Sequence, residues 1–176
     1  MDVRFLSPGR APPHEVNAFI EIPQGGLPVK YELDQKSGAL FVDRFLHTSM
    51  LYPSNYGFIP GTLAEDGDHL DVLIVTHDPT FPGCLVPVRP IGVLDMRDEK
   101  GRDQKILAVP DGDPRFREIA DLAHLAPHFL AEIRHFFEVY KTLEEKSTEI
   151  IGWSGAAAAE QTVREAQERH AASPAR

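Results

Sequence analysis

From Asn17 to Val109 the chain is cut into short runs rich in strand-forming residues, and this segmentation restricts the fold more than any other feature. Asn17–Pro23 (NAFIEIP), Pro28–Asp34 (PVKYELD) and Gly38–Leu46 (GALFVDRFL) are separated by Gly, Pro, Asp and Ser turn residues. Asp71–Thr76, Leu85–Met96 and Gln104–Val109 continue the pattern. Many short strands in succession point to a barrel or a sandwich. The stretch LYPSNYGFIPG, residues 51–61, is punctuated by Pro and Gly and reads as a loop.

Beyond Pro110 the periodicity becomes helical. In Phe129–Leu143 the residues Phe129, Leu130, Ile133, Phe136, Phe137, Tyr140 and Leu143 form one apolar stripe, with Pro127 placed near the start. Arg115–Leu125 is a weaker helical candidate. Residues 156–172, rich in Ala, Glu, Gln and Arg, predict an exposed final helix ending before Pro174, followed by a frayed end. The expected class is α+β, mainly β: a small barrel with helices packed against it, forming one domain over residues 1–176. Residues 1–14 are an N-terminal extension, and residues from about 154 to 176 are a C-terminal helix and tail.

Composition narrows the functions open to such a chain. Its 176 residues suit one compact domain with a true core, and 42% hydrophobic with 26% charged residues is ordinary for a soluble protein. No charged start leads into an apolar stretch, so no signal peptide is expected, and no apolar run approaches the ~18 residues of a membrane span. Cys84 is the single cysteine, which rules out an intrachain disulfide and favours a cytoplasmic location. The net charge of -9 opposes binding to nucleic acid or to an anionic membrane. A small anion remains a plausible ligand where the few cations gather or metal ions are recruited.

The acids are not evenly spread. Residues 65–75 read EDGDHLDVLIV, so Asp66, Asp68 and Asp71 form D-G-D-x-x-D and Asp71 leads straight into a core-like run. Two unit charges about 4 Å apart interact by ~4 kcal/mol at an effective dielectric near 20, so converging carboxylates need a cation among them. An EF-hand does not fit, because counting from Asp66 its fifth, sixth and twelfth positions are Leu70, Asp71 and His77. Oxygen ligands point instead to a hard cation, Mg²⁺ or Mn²⁺. Cys84 and the scattered histidines offer no zinc spacing, and His69 alternates away from Asp68 and reads as a surface residue.

A second acidic pair lies in RDEKGRDQK, residues 97–105. A turn at Gly101 would set Asp98 and Asp103 opposite each other across a hairpin neck, an unfavourable placement that a metal ion would relieve. Lys105 shares a face with Asp103, Leu107 and Val109, so one face starts charged and becomes apolar, as the rim of a barrel with a polar mouth should. Lys30 and Glu32 share a strand face, and Arg44 shares one with Val42 and Leu46. A charge on an apolar face must be paired or must serve a ligand. Tyr52 and Tyr56 lie nearby in the Pro/Gly segment, and Tyr140 and Lys141 follow at the end of the helical stripe. Carboxylates hold Mg²⁺ together with water and substrate phosphates, while Lys and Arg hold phosphate oxygens directly. The residues alone therefore indicate an Mg²⁺-dependent hydrolase of a small phosphate compound.

EIPQGGLPVKYELDQKSGALFVDRFL, YPSNYGFIPGTLAEDGDHLDVL, DEKGRDQK and HFFEVYK resemble, in order and spacing, the Mg²⁺-dependent family I soluble inorganic pyrophosphatases. The resemblance runs from about Glu15 to Trp153, with little signal beyond. It implies a five-stranded OB-like barrel with flanking α-helices and hydrolysis of pyrophosphate to two orthophosphates by in-line attack of a metal-activated water. It implies Asp66, Asp71 and Asp103 as ligands of a first Mg²⁺, with Asp71 bridging to a second. Asp98 and Asp103 would hold a further ion that arrives with substrate, and Glu32 would assist another. Asp68 corresponds to the acid that takes the proton of the attacking water, and Glu21 to a supporting acid. Lys30, Arg44, Tyr56, Lys105, Tyr140 and Lys141 match phosphate-binding groups, with Tyr52 beside them. A homo-oligomer, in the form of a hexamer, is also implied. The chain departs from bacterial relatives at Val139, where they tend to carry His, and at EEKSTE, residues 144–149, where they tend to be more basic. Three rivals remain: hydrolysis of nucleoside triphosphates or polyphosphate, which calls for a platform for a base; a non-catalytic OB-type binding barrel, which calls for a basic aromatic groove; and a passive Ca²⁺-binding module, which leaves Lys30, Arg44 and Lys141 unexplained.

Overall fold

The computed structural model describes residues 6–99 and 101–173. Among these residues, eight strands and two α-helices follow one another in the order β1 (Val16–Ile22), β2 (Val29–Asp34), β3 (Ala39–Phe45), β4 (Asn55–Ile59), β5 (Leu70–Ile74), β6 (Leu85–Asp98), β7 (Gly101–Pro110), α1 (Pro127–Val139), β8 (Glu149–Gly155) and α2 (Ala156–Ala172). Hydrogen bonding runs β1-β4-β5-β7-β6, and β1 also pairs with β6, so five strands close into a barrel. β8 extends the sheet from the outer edge of β6, while β2 and β3 form a separate hairpin.

The long strand β6 makes closure possible. Leu85–Val88 pairs with β1, and Gly92–Arg97 pairs with β8, with a register shift between Pro90 and Gly92 where the strand turns. Bulges of this kind let a strand bend around a barrel corner. β5 and β7 run parallel, with Asp71 beside Lys105 and Leu73 beside Leu107.

Both faces of these central strands are covered, which is why VLIV and ILAV read as unbroken apolar runs. Leu73, Leu107 and Val109 join Ile133, Phe136 and Phe137 of α1 in one apolar cluster. The alternate residues Val72, Ile106 and Ala108 join Ala159, Val163 and Ala166 of α2 in another. Two-residue alternation thus assigns each helix to one face.

Several sequence expectations need correction. Residues 51–61 are not a loop throughout, because β4 is wholly buried between β1 and β5. Its apolar and aromatic side chains outweigh the Pro and Gly signals, and Gly57 is needed because a Cβ there would collide with the Phe19 carbonyl oxygen. Arg115–Leu125 forms no α-helix but two 3₁₀ turns, Pro114–Phe116 and Leu122–His124, capped by the carboxylates of Asp113 and Asp121. The helical stripe ends at Val139, and Leu143 is largely exposed rather than part of it. β8 has no counterpart among the expected strands, since its burial is split between a barrel edge and solvent. Asp98 and Asp103 do not face each other: Asp98 pairs with Gly101 and Asp103 with Met96. The expected final helix matches α2, and the frayed end at 174–176 lies outside the described residues.

The Gly57→Ala substitution is expected to destabilise the protein by about 3 kcal/mol, the upper range for overpacking, because the clash falls on backbone that cannot swing aside. Urea unfolding with an unchanged m-value checks this.

Candidate active site

One cavity of about 280 Å³ opens at the end of the barrel between the β2–β3 hairpin, the 66–68 turn, the β6–β7 hairpin and the C-terminal end of α1. Every site residue expected from the sequence lines it: Glu21, Lys30, Glu32, Arg44, Tyr52, Tyr56, Asp66, Asp68, Asp71, Asp98, Asp103, Lys105, Tyr140 and Lys141.

Lys105 forms the floor. Its side chain is 2% exposed, and its Nζ donates to Asp71 Oδ2 at 2.6 Å and to both oxygens of Asp103 at 2.9 and 3.0 Å. The parallel β5–β7 register supplies Asp71, and the two-residue period of β7 supplies Asp103. Burial opposes the ammonium, yet the two carboxylates outweigh it and hold Lys105 above its ordinary pKa. The rings of Tyr56 and Phe137 lie 5.4 and 5.1 Å from Nζ. Tyr56 Oη donates to the same Asp71 oxygen at 2.5 Å. Burial pushes the Tyr52 and Tyr56 phenols well up, so both remain O–H donors.

Two bulges aim further side chains into the cavity. In β1 the register slips between Ile20 and Ile22, and the intervening Glu21 accepts the Leu33 N–H at 2.8 Å. Burial raises the Glu21 carboxyl to about 8. In β3, Lys30 pairs with Arg44 but Tyr31 with Val42, so Asp43 is the extra residue. This breaks the alternation expected of Arg44 with Val42: Val42 is 48% exposed, while Asp43 and Arg44 both line the cavity. Asp43 Oδ2 lies 2.8 Å from Arg44 Nη1 and 3.4 Å from Lys30 Nζ, and Glu32 lies 3.5 Å from Lys30.

The rim carries Asp66 and Asp68 on a turn in which Gly67 adopts φ 93°, a conformation only glycine takes easily. The Asp68 N–H donates to Asp66 Oδ1 at 3.1 Å. His69 is not the surface residue expected. It is half-buried, stacked on Phe58 at 4.7 Å, with its Nδ1 2.8 Å from the Thr62 carbonyl oxygen, and so ties this turn to the barrel. A carbonyl only accepts, so Nδ1 carries the proton. On the opposite rim Lys141 Nζ lies 2.8 Å from Asp98 and 3.3 Å from Glu99.

Sequence reasoning missed Asp43, Glu99, Lys146 and Glu144. Asp43 neighbours Arg44 in the chain, but plain alternation sends neighbours to opposite faces, and only the bulge brings them together. Glu144 and Lys146 belong to the segment that departs from bacterial relatives, and this was the available signal. Glu144 lies 3.1 Å from Arg44 Nε.

The donor set is carboxylate oxygen, with no thiolate and no paired imidazoles, which fits a hard divalent cation. Among the described residues no three His, Cys, Asp or Glu side chains are drawn together as a ready coordination shell. Asp71 and Asp103 instead converge on an ammonium, showing that this pair of acids is held together by positive charge.

A five-stranded barrel whose mouth combines carboxylates with Lys, Arg and Tyr belongs to the class of barrel proteins with a polar, charged site at one end. The family model for inorganic pyrophosphatase matches residues 18–171. The chain is 50% identical to the inorganic pyrophosphatase of Caulobacter vibrioides over 173 residues, covering 97% of this chain and 98% of that protein. It is 51% identical to that of Methanosarcina acetivorans over 154 residues, covering 88% of this chain and 91% of that one. The crystal structure of inorganic pyrophosphatase from Thermus thermophilus superimposes with a TM-score of 0.93 at 41% identity, covering 97% and 99% of the two chains. The chain belongs to the inorganic pyrophosphatase family. The match extends through most of α2, correcting the expectation of little family signal beyond Trp153.

Glu21 gives a pH test. Its folded pKa of about 8 exceeds the ordinary value of 4.5, so the folded protein keeps a proton that the unfolded chain loses between these values. Its contribution is complete below the ordinary value and falls as pH rises towards 8. In EDTA, Glu21→Gln keeps an oxygen for Leu33 and removes this dependence. The variant is expected to gain stability relative to wild type from pH 5 to 8, by at most about 1.4 kcal/mol per pH unit, in paired urea titrations.

Proposed function

We propose that the chain hydrolyses inorganic pyrophosphate to two orthophosphates in this cavity, with Mg²⁺ as its cofactor and Mn²⁺ as a substitute. The observation that carries this is the meeting, in one small cavity, of an oxygen-only acidic donor set with Lys30, Arg44, Lys105 and Lys141. Asp66, Asp71 and Asp103 would hold the first ion, with Asp98 and Glu32 serving further ions. Bound there, the cation supplies charge neutralisation of phosphoryl oxygens and a lowered pKa for water.

The chain's own groups do the rest. Asp68, on the exposed rim turn, accepts a proton from the attacking water. Lys30 and Arg44, on the paired strands β2 and β3, bind one phosphoryl group through charge-assisted hydrogen bonds. Arg44, Lys141 and the Tyr140 hydroxyl face the leaving phosphate, where negative charge builds during in-line displacement. Tyr56 holds Asp71, and Glu21 fixes Leu33 and with it the base of the β2–β3 hairpin.

The alternative substrates fit less well. A nucleotide base needs an accessible ring to stack on, whereas Tyr52, Tyr56, Phe58 and Tyr140 are only 2 to 6% exposed. A nucleic-acid-binding barrel is opposed by the net charge of -9. No helix among the described residues is long and apolar enough to cross a membrane. We place the protein in the cytoplasm as a homo-oligomer, a hexamer, and the exposed apolar side chains of Leu27, Phe45, Phe81 and Ile151 offer contact area for such assembly. Light scattering on the eluted peak measures the subunit number.

Orthophosphate release from pyrophosphate in Mg²⁺ is the direct test. EDTA is expected to abolish it, and equal rates with ATP would defeat the substrate assignment. Asp68→Asn is expected to lower kcat by ~10²–10⁴-fold with little change in melting temperature. Near-wild-type turnover would remove Asp68 from the proton-accepting role. Asp71→Asn is expected to raise the Mg²⁺ midpoint as well as lower the rate, as read by titration of intrinsic fluorescence. A midpoint matching wild type would count against Asp71 as a shared ligand.

A further inference from the structure

The cations that face the substrate are already engaged with carboxylates. Lys30 is shared by Glu32 and Asp43, Lys141 by Asp98 and Glu99, and Arg44 by Asp43 and Glu144. Glu144 stands apart from the other acids. It reaches Arg44 from 100 residues further along the chain, on the single 3₁₀ turn Thr142–Glu144 that follows Tyr140 and Lys141. Its side chain is only 6% exposed, and its two oxygens lie 3.2 and 3.1 Å from Arg44 Nε. Lys146 Nζ approaches it at 3.8 Å.

Guanidinium presents its N–H groups in a fixed fork, and a phosphate takes two of them from one edge. Glu144 sits at Nε, and Asp43 at Nη1. A phosphoryl group approaching the Nε edge meets a carboxylate in its own seat, and two anions on one edge repel. Asp43 is held in the β3 bulge and shared with Lys30, so it is anchored on two sides. Glu144 belongs to a one-turn element closed by Glu145 at φ 58°, a left-handed conformation that strains a non-glycine residue. Glu144 also meets Lys146, at a longer distance, but it is carried by a single turn rather than a paired strand and so has the less rigid seat of the two acids.

We propose that Glu144 is a stand-in anion: it pairs with Arg44, exchanges with a phosphoryl group on binding, and returns to help expel orthophosphate. It is a positioning residue acting through Arg44, and its effect is to weaken retention of product. The proposal rests on the pyrophosphate reading of the cavity.

Orthophosphate affinity is measured by titration calorimetry in EDTA and again in Mg²⁺, alongside steady-state hydrolysis of pyrophosphate and melting curves. Glu144→Gln, and independently Glu144→Ala, are expected to tighten orthophosphate about fivefold or more, to strengthen product inhibition, and to lower KM and kcat together. Glu144→Asp, which keeps the charge, is expected to stay nearer wild type. Glu145→Gln removes the same charge from the same turn and is expected to leave phosphate affinity unchanged. Unchanged or weaker phosphate binding in a folded Glu144→Gln or Glu144→Ala protein overturns the proposal. So does equal tightening in Glu145→Gln, which would reduce the effect to net charge. The expected phosphate tightening in the variants, together with no pyrophosphate turnover by the wild type, would reject the substrate reading alone.

Discussion

The ammonium of Lys105, buried between Asp71 and Asp103, is the interaction around which the functional end of the barrel is arranged. A lysine in an apolar interior is tolerated only when paired and hydrogen-bonded, and removing one partner of such a buried set costs about 3–5 kcal/mol. Here the pairing follows from backbone geometry. Parallel strands β5 and β7 set Asp71 beside Lys105, and the pleat of β7 sets Asp103 on the same face. The apolar cluster that α1 covers therefore ends in a charged floor, walled by Tyr56, Phe137 and Tyr140.

The walls depend on departures from regular strand geometry. The β1 bulge turns Glu21 towards the base of the β2–β3 hairpin, and the β3 bulge brings Asp43 and Arg44 to one side. Bulges redirect side chains without loss of the surrounding ladder, which suits them to the edge of a site. As a result Lys30, Arg44 and Lys141 are held at the cavity wall by paired carboxylates. On the proposed reading, binding a phosphoryl group is an exchange of anions at these cations.

Legibility in the sequence varied with how local the determinant was. The acidic turn, the charged-to-apolar face of β7 and the helix over residues 156–172 were all visible, because each rests on neighbours within a few residues. β4 was misread as loop because its Pro and Gly residues look like turn signals, whereas burial between two strands makes it a strand. Arg115–Leu125 carried helical periodicity but became two 3₁₀ turns, since Asp113 and Asp121 cap each short turn locally. His69 looked solvent-facing because nothing in the local sequence shows that Phe58 lies beneath it.

By itself the sequence determined which charges and donors were available and singled out residues that the fold gathers in one cavity, since residue type fixes charge and donor capacity, and the motifs carry the family resemblance. Tertiary structure alone decided which charge meets which: that Lys105 lies between Asp71 and Asp103, that Asp43 joins Arg44, and that Glu144 reaches Arg44 from across the chain. These pairings depend on strand register, bulges and the seat of α1. Each is settled by contacts between distant segments, where a shift of one residue would turn a side chain to the opposite face.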